Sequence, residues 1–363
     1  MTFARRQFLA ALAAAGGAVL TGCAATTMQQ GGRNPGVRVI DAHSHWYPQE
    51  WVDLMQREGP AHGAKIGSNE RGDVTFSLPG LAAPFPRIYI DLDSRLKAMD
   101  EAGIDVQVLS LMQPMVYWAP PAFGLELSQV FNDACAAAHR RYPDHFIGLA
   151  MAPLQAPELA VQELARAAKL PGLRGLMMAT AVNEKNLDEK ALFPVYAKCE
   201  ELGWPIFPHP VNPLGGERMR NYNMRNLLGN PVEIGIAAAS LIYGGVLDAF
   251  PKLDVMLPRA GGNLPFGIGR FDRNARVVPG LRKNIGQLPS AYLRRFYCDT
   301  IIENAAVLTD LVRLMGADRI VFGTDYASAM RDERPLKFIE DLELTARERD
   351  LILGGNAARL FRL

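Results

Sequence analysis

From Val37 onward the chain alternates short, β-branched apolar runs with longer stretches of helical periodicity. The runs Val37–His45, Val106–Leu111, Phe146–Pro153, Leu173–Thr180, Pro205–His209, Leu253–Leu257, Phe296–Asp299 and Ile320–Thr324 read as strands. Between most of them lie helical patterns over Ser128–Arg141, Glu158–Ala168, Glu189–Leu202, Pro231–Phe250 and Ala305–Leu314. Pro157 suits a first helical turn, and Gly203 is the glycine expected just past a helix. Strands alternating with helices in this way predict an α/β chain of the (β/α)8 TIM-barrel type. The alternative is a doubly wound sheet, but no strand is followed by Gly-x-Gly-x-x-Gly. The connection from Trp46 to Asp91 reads as long and irregular, and in a barrel it would lie over the mouth. Pro335–Leu363 reads as helices closing the barrel, and neither an internal repeat nor a second domain is visible.

Composition narrows the class. The 363 residues are 49% hydrophobic with a net charge of +1, enough apolar material for a large core and no electrostatic footprint for nucleic acid. The first residues stand apart. Arg5-Arg6 precede an apolar stretch from Leu9 to Leu20 that is too short for a membrane span of ~20 residues. Leu20-Thr21-Gly22-Cys23 then has the form of a lipobox. Residues 1–23 are therefore expected to be a twin-arginine, lipoprotein-type signal, with residues 24–36 a flexible tether and residues 37–363 a single barrel domain. On that reading a bacterium exports the protein to the periplasm, and the membrane is met only through a lipid on Cys23. The remaining cysteines, Cys135, Cys199 and Cys298, are odd in number and widely spaced, so no disulfide framework is expected.

The chemistry sits at strand ends. His43 and His45 occupy positions i and i+2 of the first strand and so face one way. His209 ends the fifth strand and Asp325 follows the eighth. In a barrel those ends converge on one mouth. Three of the six histidines and one carboxylate thus meet as candidate ligands for a divalent ion, Zn2+ first, with Mn2+ and Co2+ open. The fourth strand offers no bridging carboxylate or lysine, so one ion is expected. His139 and His145 flank a helix end, and His62 lies in the long first connection.

The run Arg95–Val108, Gly215-Gly216-Glu217-Arg218-Met219, the run Gly261–Arg270 and Gly354-Gly355-Asn356-Ala357 complete a pattern. Together with the four ligand candidates they resemble the amidohydrolase superfamily, in the branch of 2-amino-3-carboxymuconate-6-semialdehyde decarboxylase and related aromatic-acid decarboxylases. The resemblance runs over nearly all residues after Val37. It implies Zn2+ on His43, His45, His209 and Asp325, and arginines that hold the substrate's carboxylates. Arg270 matches one of these, supplied across a homodimer interface, and Arg87 stands for the other. Trp46 is a candidate wall for a planar substrate.

One position departs from the pattern. Arg259 stands where the resemblance implies a histidine that binds and deprotonates the metal water. Arginine stays protonated and cannot be that base. Arg259 then binds a substrate carboxylate, or Asp325 takes the base role as well, or the site is crippled. The leading function is metal-dependent, non-oxidative decarboxylation of a small aromatic or unsaturated carboxylic acid, with Asp325 and Arg259 as catalytic candidates. Hydrolysis of an ester, lactone or amide is the alternative, and a non-catalytic binding protein the third. The expected partner is a small anionic organic substrate, and no nucleic acid.

Overall fold

The computed structural model describes residues 36–79, 81–331 and 334–363. The signal and tether expected over residues 1–35 lie outside the described residues. Eleven strands follow in chain order: β1 (Ile40–His45), β2 (Lys65–Ser68), β3 (Val74–Leu78), β4 (Leu81–Phe85), β5 (Val106–Ser110), β6 (Phe146–Ala150), β7 (Leu173–Ala179), β8 (Ile206–His209), β9 (Val255–Leu257), β10 (Phe296–Asp299) and β11 (Ile320–Val321). Eight of them form one sheet in the order β1-β5-β6-β7-β8-β9-β10-β11, every pair parallel. Backbone hydrogen bonds from Ala42 N to Phe322 O and from Asp325 N to His43 O, each 2.9 Å, join its last segment to its first. The sheet therefore closes into the expected (β/α)8 barrel.

The barrel strands are short because each need only cross the core. β1, β5, β6, β8, β9, β10 and β11 are buried at every position, as strands covered on both faces must be. The helices around them carry ordinary end signals. Asp91 accepts from the backbone N–H groups of Asp93 and Ser94 to start the helix Leu92–Ala102. Gly203 ends Phe193–Leu202 in the left-handed conformation, donating to Cys199 and Glu200 carbonyls.

Two sequence expectations need correction. The helix expected from Ser128 begins at Pro121, because proline is pre-organised for a first turn and needs no N–H there. The Trp46–Asp91 connection is not irregular. It folds into the helix Gln49–Glu58 and an antiparallel sheet in the order β2-β3-β4. Pro60 and Pro86 stand at the starts of short helical turns, and Pro84 is on β4, an outer strand of that sheet, where a missing N–H is tolerated. The small sheet packs toward the loop after β5, with Phe76 and Trp118 rings 5.0 Å apart and Gln113 Nε2 donating to Ala82 O. The three cysteines among the described residues are free and buried, as expected. No helix among the described residues is long and apolar enough to cross a membrane.

Candidate metal centre

The mouth of the barrel is built on β1. Asp41, His43 and His45 alternate onto the same face, all with no solvent exposure. His43 Nε2 and His45 Nε2 stand 3.1 Å apart. Asp325 Oδ1 lies 3.1 Å from His45 Nε2 and 3.6 Å from His43 Nε2. His209 completes the group, its ring centroid 4.7 Å from that of His45. Candidate ligand atoms of all four residues lie within 4.8 Å of one another. Ligands bound to one ion at about 2.0–2.2 Å stand roughly 3–3.5 Å apart, and the His43, His45 and Asp325 spacings match that.

The outer nitrogens decide which way the lone pairs face. His43 Nδ1 donates to Asp299 Oδ2 at 2.7 Å. Ser110 Oγ–H donates to Ser44 O at 2.8 Å, which leaves its oxygen to accept from His45 Nδ1 at 3.0 Å. Both histidines thus present bare Nε2 lone pairs to each other and to the Asp325 carboxylate. In a buried site that arrangement is repulsive until a cation joins it. His209 Nδ1 is buried and has no hydrogen-bond partner among the described residues. The donor set fits a divalent ion of the N/O-binding class.

Electrostatics agree. Burial lowers the His45 pKa to about 4, and burial followed by the charge of neighbouring His45 drives that of His209 well below its ordinary value. Neutral imidazole is the ligating form. Burial raises the Asp325 pKa, but the charge of the Arg259 guanidinium beside it outweighs that, so the carboxyl is held well below the usual range. Asp325 remains a carboxylate.

Arg259 enters the cluster rather than turning away. After β9 the chain passes through four residues with positive φ, Arg259 (φ 49°), Ala260 (φ 54°), Gly261 (φ 79°) and Gly262 (φ 61°). A Cβ at Gly262 would lie 2.3 Å from Pro231 O, so glycine is required there. Asp299 Oδ1 holds the turn by accepting from Ala260 N at 2.9 Å. The turn aims the Arg259 guanidinium at Asp325 Oδ2 (3.2 Å) and at His209 Nε2 (3.3 Å).

A buried polar belt lies under the histidines. Arg95 donates to the His45 carbonyl and, at 3.0 Å, to Gln107 Oε1. Gln107 Nε2 donates to Asp41 Oδ2 at 2.9 Å, and Asp41 also accepts from Thr324 Oγ1 at 2.6 Å and Thr324 N at 3.0 Å. Burial pushes the Asp41 pKa up to about 6 against these donors. The belt ties β1 and β5 to the segment that carries Asp325. Asp41, Arg95, Ser110 and Asp299 were missed in the sequence. Asp41 had a signal, since it is two residues before His43 on the same face; the other three come from distant strands and a helix.

The remaining candidates are placed as follows. Trp46 is buried, its indole N–H on Ile90 O at 2.9 Å and its ring 6.3 Å from Phe131. Arg87 is 89% exposed, 3.8 Å from Asp91. It starts the short helix Arg87–Ile90, whose Tyr89 has its phenol pKa raised by burial and then by Asp325, so the helix borders the mouth. Arg270 is exposed on the helix Leu264–Val277. Among the described residues, no hydrogen bond or ion pair links any of the three to the four ligand candidates. His139 Nδ1 donates to Phe146 O, His145 Nδ1 donates to Asp105 O, and His62 stacks on Phe123, all outside the cluster. A cavity of about 760 Å3 lies elsewhere, lined by Gly36, Val37, Arg38 and Leu363 among others, and contains none of the four ligand candidates.

The family model described as Amidohydrolase matches residues 40–363. The chain belongs to the amidohydrolase family. Within it, this amidohydrolase falls in the 2-amino-3-carboxymuconate-6-semialdehyde decarboxylase-like branch. It is 33% identical over 334 residues to that decarboxylase from Dictyostelium discoideum, covering 89% of this chain and 91% of the relative. It is 31% identical to the gamma-resorcylate decarboxylase of Rhizobium radiobacter, over 75% of this chain and 87% of the relative. Among solved structures it resembles a dihydroxybenzoic acid decarboxylase from Polaromonas sp. JS666 with bound manganese and the inhibitor 2-nitroresorcinol. That match has 27% identity and a TM-score of 0.74, over 90% of this chain and 97% of that one.

Two expectations change with these findings. The periplasmic, lipid-anchored placement is corrected: a relative matched along most of its length comes from a eukaryote, which has no periplasm, so the amidohydrolase core carries no such address. The choice of zinc gives way to a divalent-metal site, because the Polaromonas structure carries manganese.

Proposed function

We propose that this amidohydrolase catalyses metal-dependent, non-oxidative decarboxylation of a small hydroxylated aromatic acid. The observation that carries the reading is the cluster itself: two histidines locked with bare nitrogens facing a carboxylate, at the mouth of a barrel shared with decarboxylases. His43, His45, His209 and Asp325 would hold one ion, zinc or manganese. When bound, that ion supplies a Lewis acid that polarises substrate oxygens.

The chain's own residues do the rest. Arg259 carries a permanent positive charge at the cluster and binds the carboxylate to be lost. The bond from the ring carbon to that carboxylate breaks, its electron pair stays on carbon, and carbon gains a proton as CO2 leaves. Asp325 Oδ2, which faces Arg259, is the atom placed to take the proton of the substrate's hydroxyl group and pass it to that carbon, ending as the carboxylate it is at rest. Arg87 at the rim is the candidate second contact for an anionic substrate. The homodimer reading is supported by the exposed face of Leu264–Val277, where Phe266 is 52% and Val277 49% exposed beside Arg270.

Arg259 favours one second reading, a metal-binding protein that holds an aromatic acid without turning it over. The test starts with elemental analysis of chelator-free protein beside a His43→Ala/His45→Ala control. It continues with CO2 release from 2,6-dihydroxybenzoate and related ortho-hydroxy acids. About one metal per chain, lost in the control, together with CO2 release supports the proposal. Metal and ligand binding without CO2 supports the second reading. A new acid plus an alcohol or amine from ester or amide substrates would instead mark a hydrolase.

A further inference from the structure

A guanidinium only donates, so His209 Nε2 must accept from Arg259 Nη1 at 3.3 Å, and the ring proton sits on Nδ1. That Nδ1 is buried and has no partner among the described residues. Ligation of an ion needs a bare nitrogen. If Nδ1 were the ligand, the proton would move to Nε2 and point at the Arg259 N–H, two donors facing each other at hydrogen-bond distance. If Nε2 were the ligand, its lone pair would be taken and Arg259 would lose its acceptor. Either way, the Arg259–His209 contact and ligation by His209 exclude each other.

We infer that Arg259 is the resident cation of the metal-free site, and that an entering ion displaces it from His209. This rests on the metal-site reading above. In the metal-free protein the bare nitrogens of His43 and His45 face the Asp325 carboxylate in a buried pocket. Arg259 brings the only guanidinium or ammonium paired with that carboxylate among the described residues, 3.2 Å from Oδ2. It offsets the charge an ion would otherwise neutralise. The exchange has a route, because the Arg259 side chain is 13% exposed whereas His43 and His45 are fully enclosed. Asp325 can keep Arg259 on Oδ2 while Oδ1 turns to the ion, so the guanidinium pivots rather than leaves. One side chain thus alternates between substituting for the metal and standing beside it, where it can meet an anionic ligand.

Metal affinity and metal-free stability should then move in opposite directions when Arg259 is changed. The experiment strips the full chain with chelator and titrates it with Zn2+ and with Mn2+, in wild type, Arg259→Met and Arg259→Lys, recording affinity and melting temperature. Arg259→Met is expected to bind metal about tenfold tighter than wild type. It is expected to melt several degrees lower without metal and to regain that loss when saturated. Arg259→Lys keeps the charge but cannot reach both partners with one fork, so it should also bind metal more tightly. If Arg259→Met does not fold, Arg259→Lys alone decides. Full metal content with the same affinity in wild type and variants overturns the displacement and leaves the metal site standing. No metal on any of the three proteins overturns both.

Discussion

The two sides of the metal cluster are built differently. On the β1 side, each histidine has its outer nitrogen engaged, His43 by Asp299 and His45 by Ser110, and both inner nitrogens are bare. That side is organised for a ligand before one arrives. On the side of β8 and β9, His209 has one nitrogen without a partner among the described residues and the other facing Arg259. That side is satisfied by an internal cation instead. The contrast teaches that a pocket can carry a full ligand set and still differ, residue by residue, in how much reorganisation binding requires.

Breaking the organised side should have the largest effect. His43→Ala/His45→Ala should reduce metal content from about one per chain to near zero and abolish CO2 release, measured by elemental analysis and a coupled CO2 assay. Retained metal would remove β1 from the site. Asp299→Ala comes next: with the partner of His43 Nδ1 gone, metal affinity should fall by about 10–100-fold in a calorimetric titration. Ser110→Ala replaces a weaker, neutral partner, and the same titration should show a loss smaller than that of Asp299→Ala. On the other side, Arg259→His should preserve or raise decarboxylation, since it places a titratable group where the sequence resemblance implies a histidine. A large loss of kcat there would show that the guanidinium has its own catalytic task. Arg87→Ala should be the mildest: metal content unchanged and KM for an anionic substrate raised by less than about tenfold, because an exposed charge contributes little.

The same contrast explains what could be read from residue order. Strand positions were legible because apolar runs bounded by turn residues leave a period in the chain: Phe296–Asp299 was placed to the residue. His43 and His45 were legible for the same reason, their spacing placing both on one face of a strand. Asp299 and Ser110 were not, since nothing local marks a residue whose partner is 256 or 65 positions away. The small β2-β3-β4 sheet was read as irregular because its strands span four or five residues and are only partly buried, which weakens the alternation a strand leaves behind. Arg259 stands out of pattern in the sequence, but its aim depends on four successive residues with positive φ, a property of the turn rather than of arginine.

The small sheet has a consequence for how this protein could diversify. It hangs between β1 and β5, leans on the loop after β5, and supplies no residue to the metal cluster. The ligands are anchored instead in barrel strands and the belt beneath them. Changes in length or sequence between β2 and β4 can therefore accumulate under a different selective pressure from the strands, retuning which molecules gain entry while the catalytic inheritance below stays fixed.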